Sequence, residues 1–304
     1  MNENTSRGTY TAASQPVTPL SVAELSAGQD SDIMALLERP FNILEPPNRS
    51  SPYFFTSPHS GSVYASSFVA SSRLNRLALR RSEDAFVDEL FGDAPDHGAC
   101  LLSARFPRAY VDVNRADDEI DPAMFEAGLV KLAGSRSPRV NAGLGVIPKV
   151  VSDGMEIYSR RLPFDEAIFR LEAFYRPYHA ILARFLAETK SRFGMAVLID
   201  CHSMPPVANG YDVVIGDCHG NACAPEISNK IEEALCGAGF SVARNSPYAG
   251  GYTTSHYGHP NDDIHAVQIE LNRGLYLVEK RIEKAAGYAS CHAAIRSFIA
   301  RLHS

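Results

Sequence analysis

No apolar run in these 304 residues approaches the length of a membrane span, and the first residues lack the basic-then-apolar layout of a secretory signal. Both absences make the cytoplasm the expected location. Cysteine is sparse and irregular. Cys100, Cys201, Cys218, Cys223, Cys236 and Cys291 form no repeating framework, which suits reduced thiols better than disulfides. Cys218 and Cys223, with His219 between them, match no zinc-ribbon spacing and read as a loop with idle thiols. Positive charge is in deficit too, and a net charge of −6 argues against nucleic acid or an anionic membrane as partner. Several catalytic signatures are missing: a Gly-x-Ser-x-Gly turn, a His-Glu-x-x-His helix, a phosphate-binding Gly-x-x-x-x-Gly-Lys loop and a dinucleotide fingerprint.

What remains is the material of a globular protein, 45% hydrophobic and 21% charged, long enough to bury a substantial core. Residues 1–45 are polar, with a short helical pattern over 22–37, and read as a partly ordered arm. Residues 46–304 read as a single α/β catalytic domain. Helices are predicted over 82–91, 163–193, 226–236 and 279–302, and strands over 99–106, 109–113, 242–244 and 266–271. This alternation implies a central sheet with helices on both faces.

The chemistry gathers at two strand ends. Ala196, Val197, Leu198 and Ile199 run into Asp200, Cys201, His202 and Ser203. A continuous apolar run marks a strand buried on both faces, and ligands collect beyond the carboxyl ends of such strands. Asp200 and His202, two residues apart, leave a strand on the same side. The segment Tyr53-Phe54-Phe55-Thr56-Ser57-Pro58-His59-Ser60-Gly61 has the same grammar. Two strands that each deliver a histidine to one edge suggest a catalytic zinc site, which needs a third ligand, commonly a carboxylate, and an open position for water. Asp84, Asp88 and Glu89 are candidates, although acids also simply favour a helix start. In Val267-Gln268-Ile269-Glu270-Leu271, the alternation sends Glu270 away from the apolar set, where it is a general base if it faces a cleft. Arg115 and Arg273 suit a carboxylate, with Arg136, Arg139 and Arg161 next in line.

Seven motifs then occur in order. They are Ser-Pro-His-Ser-Gly (57–61), Val-Asp-Glu-Leu-Phe (87–91), Val-Asp-Val-Asn-Arg (111–115), Gly-Leu-Gly-Val-Ile-Pro (143–148), Asp-Cys-His-Ser-Met-Pro (200–205), Gly-Gly-Tyr-Thr-Thr-Ser-His-Tyr-Gly (250–258) and Gln-Ile-Glu-Leu-Asn-Arg-Gly-Leu-Tyr (268–276). Together they resemble the N-formylglutamate amidohydrolase family, itself distantly similar to zinc carboxypeptidases and aspartoacylases. The resemblance implies a mixed, mostly parallel central sheet of the zinc-carboxypeptidase, phosphorylase/hydrolase-like type. It implies Zn²⁺ or another divalent metal on His59 and His202, Glu270 as base, and Asn114 and Arg115 near a substrate carboxylate. The wider superfamily has a glutamate three residues after its first histidine, where this chain has Ser62. Asp88, which lies in a family motif, is therefore the expected third ligand. His256 is assigned either to support of an oxyanion or to packing on Tyr252 or Tyr257. The implied reaction is hydrolysis of a small N-acyl amino acid, foremost N-formyl-L-glutamate to formate and L-glutamate, as at the end of one bacterial route of histidine breakdown. A deacylase or small peptidase for another N-acyl amino acid is the alternative, followed by a silent binding protein on the same fold.

Overall fold

The computed structural model describes residues 30–126, 137–151, 154–206 and 210–303. The predicted helical pattern over 22–37 falls partly outside this range. Within it, helix α1 (Ser31–Glu38) is capped by the Asp30 carboxylate, which accepts from the backbone N–H of Asp32 and Ile33.

Seven strands form the main sheet: β1 (Phe41–Leu44), β2 (Tyr53–Ser57), β3 (Cys100–Ala104), β4 (Ala196–Met204), β5 (Val213–Gly216), β6 (Val242–Arg244) and β7 (Ile264–Asn272). Their spatial order is β1-β3-β2-β4-β7-β5-β6. Strands β3, β2, β4 and β7 are mutually parallel, β5 pairs parallel with β6, and the junctions β1/β3 and β5/β7 are antiparallel. The sheet is thus mixed and mostly parallel. Residues 41–44, assigned to the arm by composition, form one edge strand, and the predicted 242–244 strand is the other edge.

The central strands are apolar because both of their faces are covered. In β4, Ala196 and Leu198 enter one core while Val197, Ile199 and Cys201 enter the other. The first core is closed by α3 (Phe164–Arg170) and α4 (Arg176–Phe193), which buries Tyr178, Leu182, Phe185 and Leu186 at helical spacing. Phe185 stacks on Phe54 of β2 with ring centroids 5.0 Å apart. Opposite lie α5 (Pro225–Gly237) and α7 (Tyr288–Leu302). The single helix predicted over 163–193 is observed with a widened π turn at Leu171–Tyr175. Pro177 lies just beyond it and supplies no backbone N–H, so the regular ladder is interrupted there. Gly194 ends the helix in the left-handed region (φ 78°).

Three expectations are corrected. The helix predicted over 82–91 shrinks to α2 (Val87–Leu90), preceded by extended Glu83 and by Phe86 at φ 65°. Residues 109–113 are buried but form no strand, because the Asp112 N–H bonds the carbonyl of Val146 in a facing loop. The closing helix starts at Tyr288, after a small hairpin that pairs Leu277–Val278 with Glu283–Lys284.

Candidate active site

Strand register places the polar residues in a row. Thr56, Asp200 and Gln268 are neighbours across β2, β4 and β7, and His202 and Glu270 are neighbours one step further along. In β4 and β7 the odd-numbered residues Ile199, Cys201, Ile269 and Leu271 fill the core beneath α5 and α7. Strand alternation therefore turns Asp200, His202, Gln268 and Glu270 to the opposite face. All four are buried.

The loop after β2 brings His59 to the same place. Its carbonyl accepts from the Asp84 N–H (3.0 Å), and the Ser60 hydroxyl donates to the Asp84 carbonyl (3.0 Å). The two loops are thereby stitched together. As a result His59, Asp84 and His202 each offer one ligand atom, all within 4.8 Å of one another. His202 Nδ1 lies 3.1 Å from both His59 Nδ1 and Asp84 Oδ2. The opposite ring nitrogens point outward to carboxylates: His59 Nε2–H donates to Asp112 Oδ1 (2.7 Å) and His202 Nε2–H to Asp200 Oδ2 (2.9 Å). Asp200 is held in turn by the Thr56 hydroxyl (2.6 Å). Each imidazole is thus fixed by an acid behind it, with Nδ1 turned to a shared centre.

Electrostatics follow from this packing. Burial works to raise the Asp84 carboxyl, but hydrogen bonds from His202 and His59 and the charge of Arg273 hold it well below the usual range. Burial likewise opposes protonation of His202, yet Asp200 and Asp84 raise it well above its ordinary value. The Glu270 carboxyl is pushed up to about 7 by burial, and the nearby Asp84 charge adds to that. Gln268 Nε2–H donates to its Oε1 (2.7 Å). A divalent cation at the centre would pull Glu270 back toward ionisation.

These groups line a cavity of about 420 Å³, together with Asn114, Arg108, Arg115, Arg139, Arg273 and Tyr248. Not every expected residue reaches its expected partner. Asp88 is not in the histidine cluster. Its backbone N–H bonds Ser60 Oγ (3.1 Å), and its side chain is half-buried on α2. The chain reverses at Phe86, so Asp84 rather than Asp88 arrives between the histidines. His256, on α6 (Tyr252–Tyr257), is exposed, stacks on Tyr252 at 4.8 Å and does not border the cavity. That stacking is the contact named in the packing alternative for His256. Arg273 borders the cavity but is already engaged, donating to Asp84 Oδ1 (2.9 Å) and Ser203 Oγ (3.1 Å). Arg115 donates to the carbonyls of Leu144 (2.8 Å) and Asn114 (2.7 Å). Asn114 Oδ1 accepts from the Thr253 N–H (2.8 Å), and its Nδ2 lies 3.2 Å from His202 Nε2. Asp112 and Arg108 were not foreseen. Asp112 offered a signal, standing two residues before Asn114 in the Val-Asp-Val-Asn-Arg motif, whereas Arg108 offered none.

A buried set of histidines and carboxylates at the carboxyl ends of parallel strands, under an arginine-lined cavity, is the layout of an α/β hydrolytic enzyme. Comparison with known proteins agrees. Residues 51–277 match the family described as N-formylglutamate amidohydrolase, and the chain belongs to that family. It is 30% identical over 237 residues to an N-formylglutamate deformylase of Pseudomonas putida, covering 75% of this chain and 82% of the relative. A second N-formylglutamate deformylase, from Pseudomonas aeruginosa, is 30% identical over 239 residues, covering 75% of this chain and 83% of that one. The crystal structure of an N-formylglutamate amidohydrolase from Ralstonia eutropha JMP134 superposes with a TM-score of 0.82 at 33% identity, covering 87% of this chain and 97% of that one.

Proposed function

We propose that this chain is a metal-dependent amidohydrolase that converts N-formyl-L-glutamate to L-glutamate and formate. The observation that carries the reading is the convergence of His59 Nδ1, His202 Nδ1 and an Asp84 oxygen beside Glu270. The named activity of the Pseudomonas and Ralstonia relatives supports it.

The residues fit a zinc ion. Two imidazole nitrogens and one carboxylate oxygen are a catalytic zinc donor set that leaves a position open. The acids behind each histidine, Asp112 and Asp200, match the outer support that such ligands need. When bound, the ion would polarise the formyl oxygen and lower the pKa of water. Glu270, one strand away from His202, takes the proton from the attacking water and delivers it to the departing amide nitrogen. The C–N bond breaks as the water oxygen joins the formyl carbon. Arg273 donates to Asp84 Oδ1 directly and to Ser203 Oγ, whose hydroxyl donates to the same Asp84 oxygen (3.2 Å), fixing the carboxylate between the histidines. Asn114 and Arg115 border the cavity and position the substrate's α-carboxylate. Arg108, braced by Asp112 (3.0 Å), adds positive charge beside them.

The test combines metal analysis with a substrate panel. About one zinc per chain is expected, with N-formylglutamate cleaved much faster than N-formylglutamine, N-formylleucine or N-acetylglutamate. Equal kcat/KM across the panel would favour a broader N-acyl amino-acid deacylase. An active protein that contained no metal and tolerated chelators would refute the metal assignment.

A further inference from the structure

Four arginines border the cavity, and three are engaged by partners in its wall. Arg273 holds Asp84 and Ser203; Arg115 holds the Leu144 and Asn114 carbonyls; Arg108 donates from Nε to Asp112. Arg139 is different. Among the described residues it makes no side-chain hydrogen bond or ion pair, and it is exposed at the cavity.

Its backbone is nonetheless firmly anchored. Arg139 lies in the helical turn Pro138–Asn141, whose N-cap Ser137 accepts from the Val140 N–H (3.2 Å) and donates to Glu119 Oε1 (2.6 Å). The Arg139 carbonyl accepts from the Leu144 N–H (2.8 Å), and the carbonyl of the same Leu144 accepts from Arg115 Nε (2.8 Å). One residue thus ties the open arginine to the one beside the catalytic groups. We propose that Arg139 binds the side-chain carboxylate of the substrate and is the residue that selects a diacid. This deepens the N-formylglutamate reading and rests on it. The α-carboxylate stands next to the amide under attack, so it falls near the engaged arginines around Asp112. The side-chain carboxylate lies further out along its methylene chain, and there Arg139 presents a whole guanidinium fork able to grip both oxygens.

The experiment compares wild type with Arg139→Gln and Arg139→Lys in the metal-loaded enzyme, using N-formylglutamate and N-formylglutamine. For Arg139→Gln, kcat/KM on the glutamate substrate should fall about 10- to 100-fold, the scale of a charge-assisted hydrogen bond. The fall should come mainly through KM, while the glutamine substrate changes little and Arg139→Lys loses less. In parallel, calorimetry on the purified protein should show glutarate binding weakened in Arg139→Gln and pentanoate binding unchanged. An equal loss on both substrates, or none on either, would overturn the assignment. If wild type failed to cleave N-formylglutamate, the parent reading would fall, while the glutarate comparison would still decide for or against Arg139.

Discussion

His202 and Glu270 occupy the same register position on adjacent parallel strands, so the candidate ligand and the candidate base rise side by side from one face of the sheet. This arrangement separates metal binding from proton transfer in an experiment. Glu270→Gln should retain metal and lose roughly two to four powers of ten in kcat, the usual scale for a positioned acid–base. His202→Ala should lose both metal and turnover. A Glu270→Gln protein as depleted of metal as His202→Ala would move Glu270 among the ligands.

The two aspartates before and within α2 should behave oppositely. Asp84→Asn is expected to abolish metal retention and activity, whereas Asp88→Asn should preserve both. Metal loss in Asp88→Asn with retention in Asp84→Asn would reverse the assignment.

Asp88 also carries a pH signature. Burial raises its carboxyl to about 6 from an ordinary 3.8. Between these values the folded state binds more protons than the unfolded chain, so the contribution of Asp88 falls as pH rises through about 6. Asp88→Asn should therefore gain stability relative to wild type at pH 7 to 8, with the gain gone near pH 4. Denaturation midpoints across that range measure it, and parallel curves would count against it.

His179 should act in the opposite sense. It is held neutral between the Val113 carbonyl (3.0 Å) and the Tyr257 hydroxyl (2.9 Å), and burial drives it down to about 4 from 6.5. Over that window the unfolded chain binds the extra proton, so this part of the stability declines as pH falls. The stability gap between wild type and His179→Gln should narrow from pH 7 to pH 4. A constant gap would mean that His179 does not titrate in this range.

The acid behind His59 offers a fifth test. Asp112→Asn keeps the side chain's shape but weakens the grip on Nε2, and should lower metal affinity about 10- to 100-fold. Titration with a competing chelator would detect this, and unchanged affinity would make Asp112 a partner of Arg108 and Arg115 alone.

The strand ends were legible because two simple signals coincide there. A both-face apolar run marked β4, and period-two alternation in β7 gave the orientation of Glu270 before any contact was known. Asp84 was harder to place. A short acid-rich segment with apolar residues at helical spacing looks like a helix, and only the bonds from Asp84 and Ser60 across the two loops force extended Glu83 and left-handed Phe86. Residues 109–113 misled for a similar reason. Apolar Val111 and Val113 alternate as in a strand, but the Val111 N–H turns back to the Pro107 carbonyl, the Asp112 N–H bonds the Val146 carbonyl and the Val113 carbonyl accepts from the His179 ring on α4, a set of partners that local pattern does not reveal. Arg139 could be named as a candidate, yet nothing local distinguished it from Arg161, which does not border the cavity, or from Arg136, which lies outside the described residues.

The Gly-rich segment before α6 has the small residues of either a lid or a closely approaching backbone, and in the structure it packs closely against its neighbours. A Cβ at Gly251 would stand 2.4 Å from the Asn114 amide, and one at Gly216 would stand 2.6 Å from the Ala249 backbone. There is no room for a methyl group at either point, and Asn114 is also clasped to Thr253. For protein engineering this divides the pocket into two zones. Libraries aimed at new acyl or amino-acid specificities should leave Gly216 and Gly251 untouched and vary Tyr248 and Arg139, where bulk and charge can change without displacing the groups around His202.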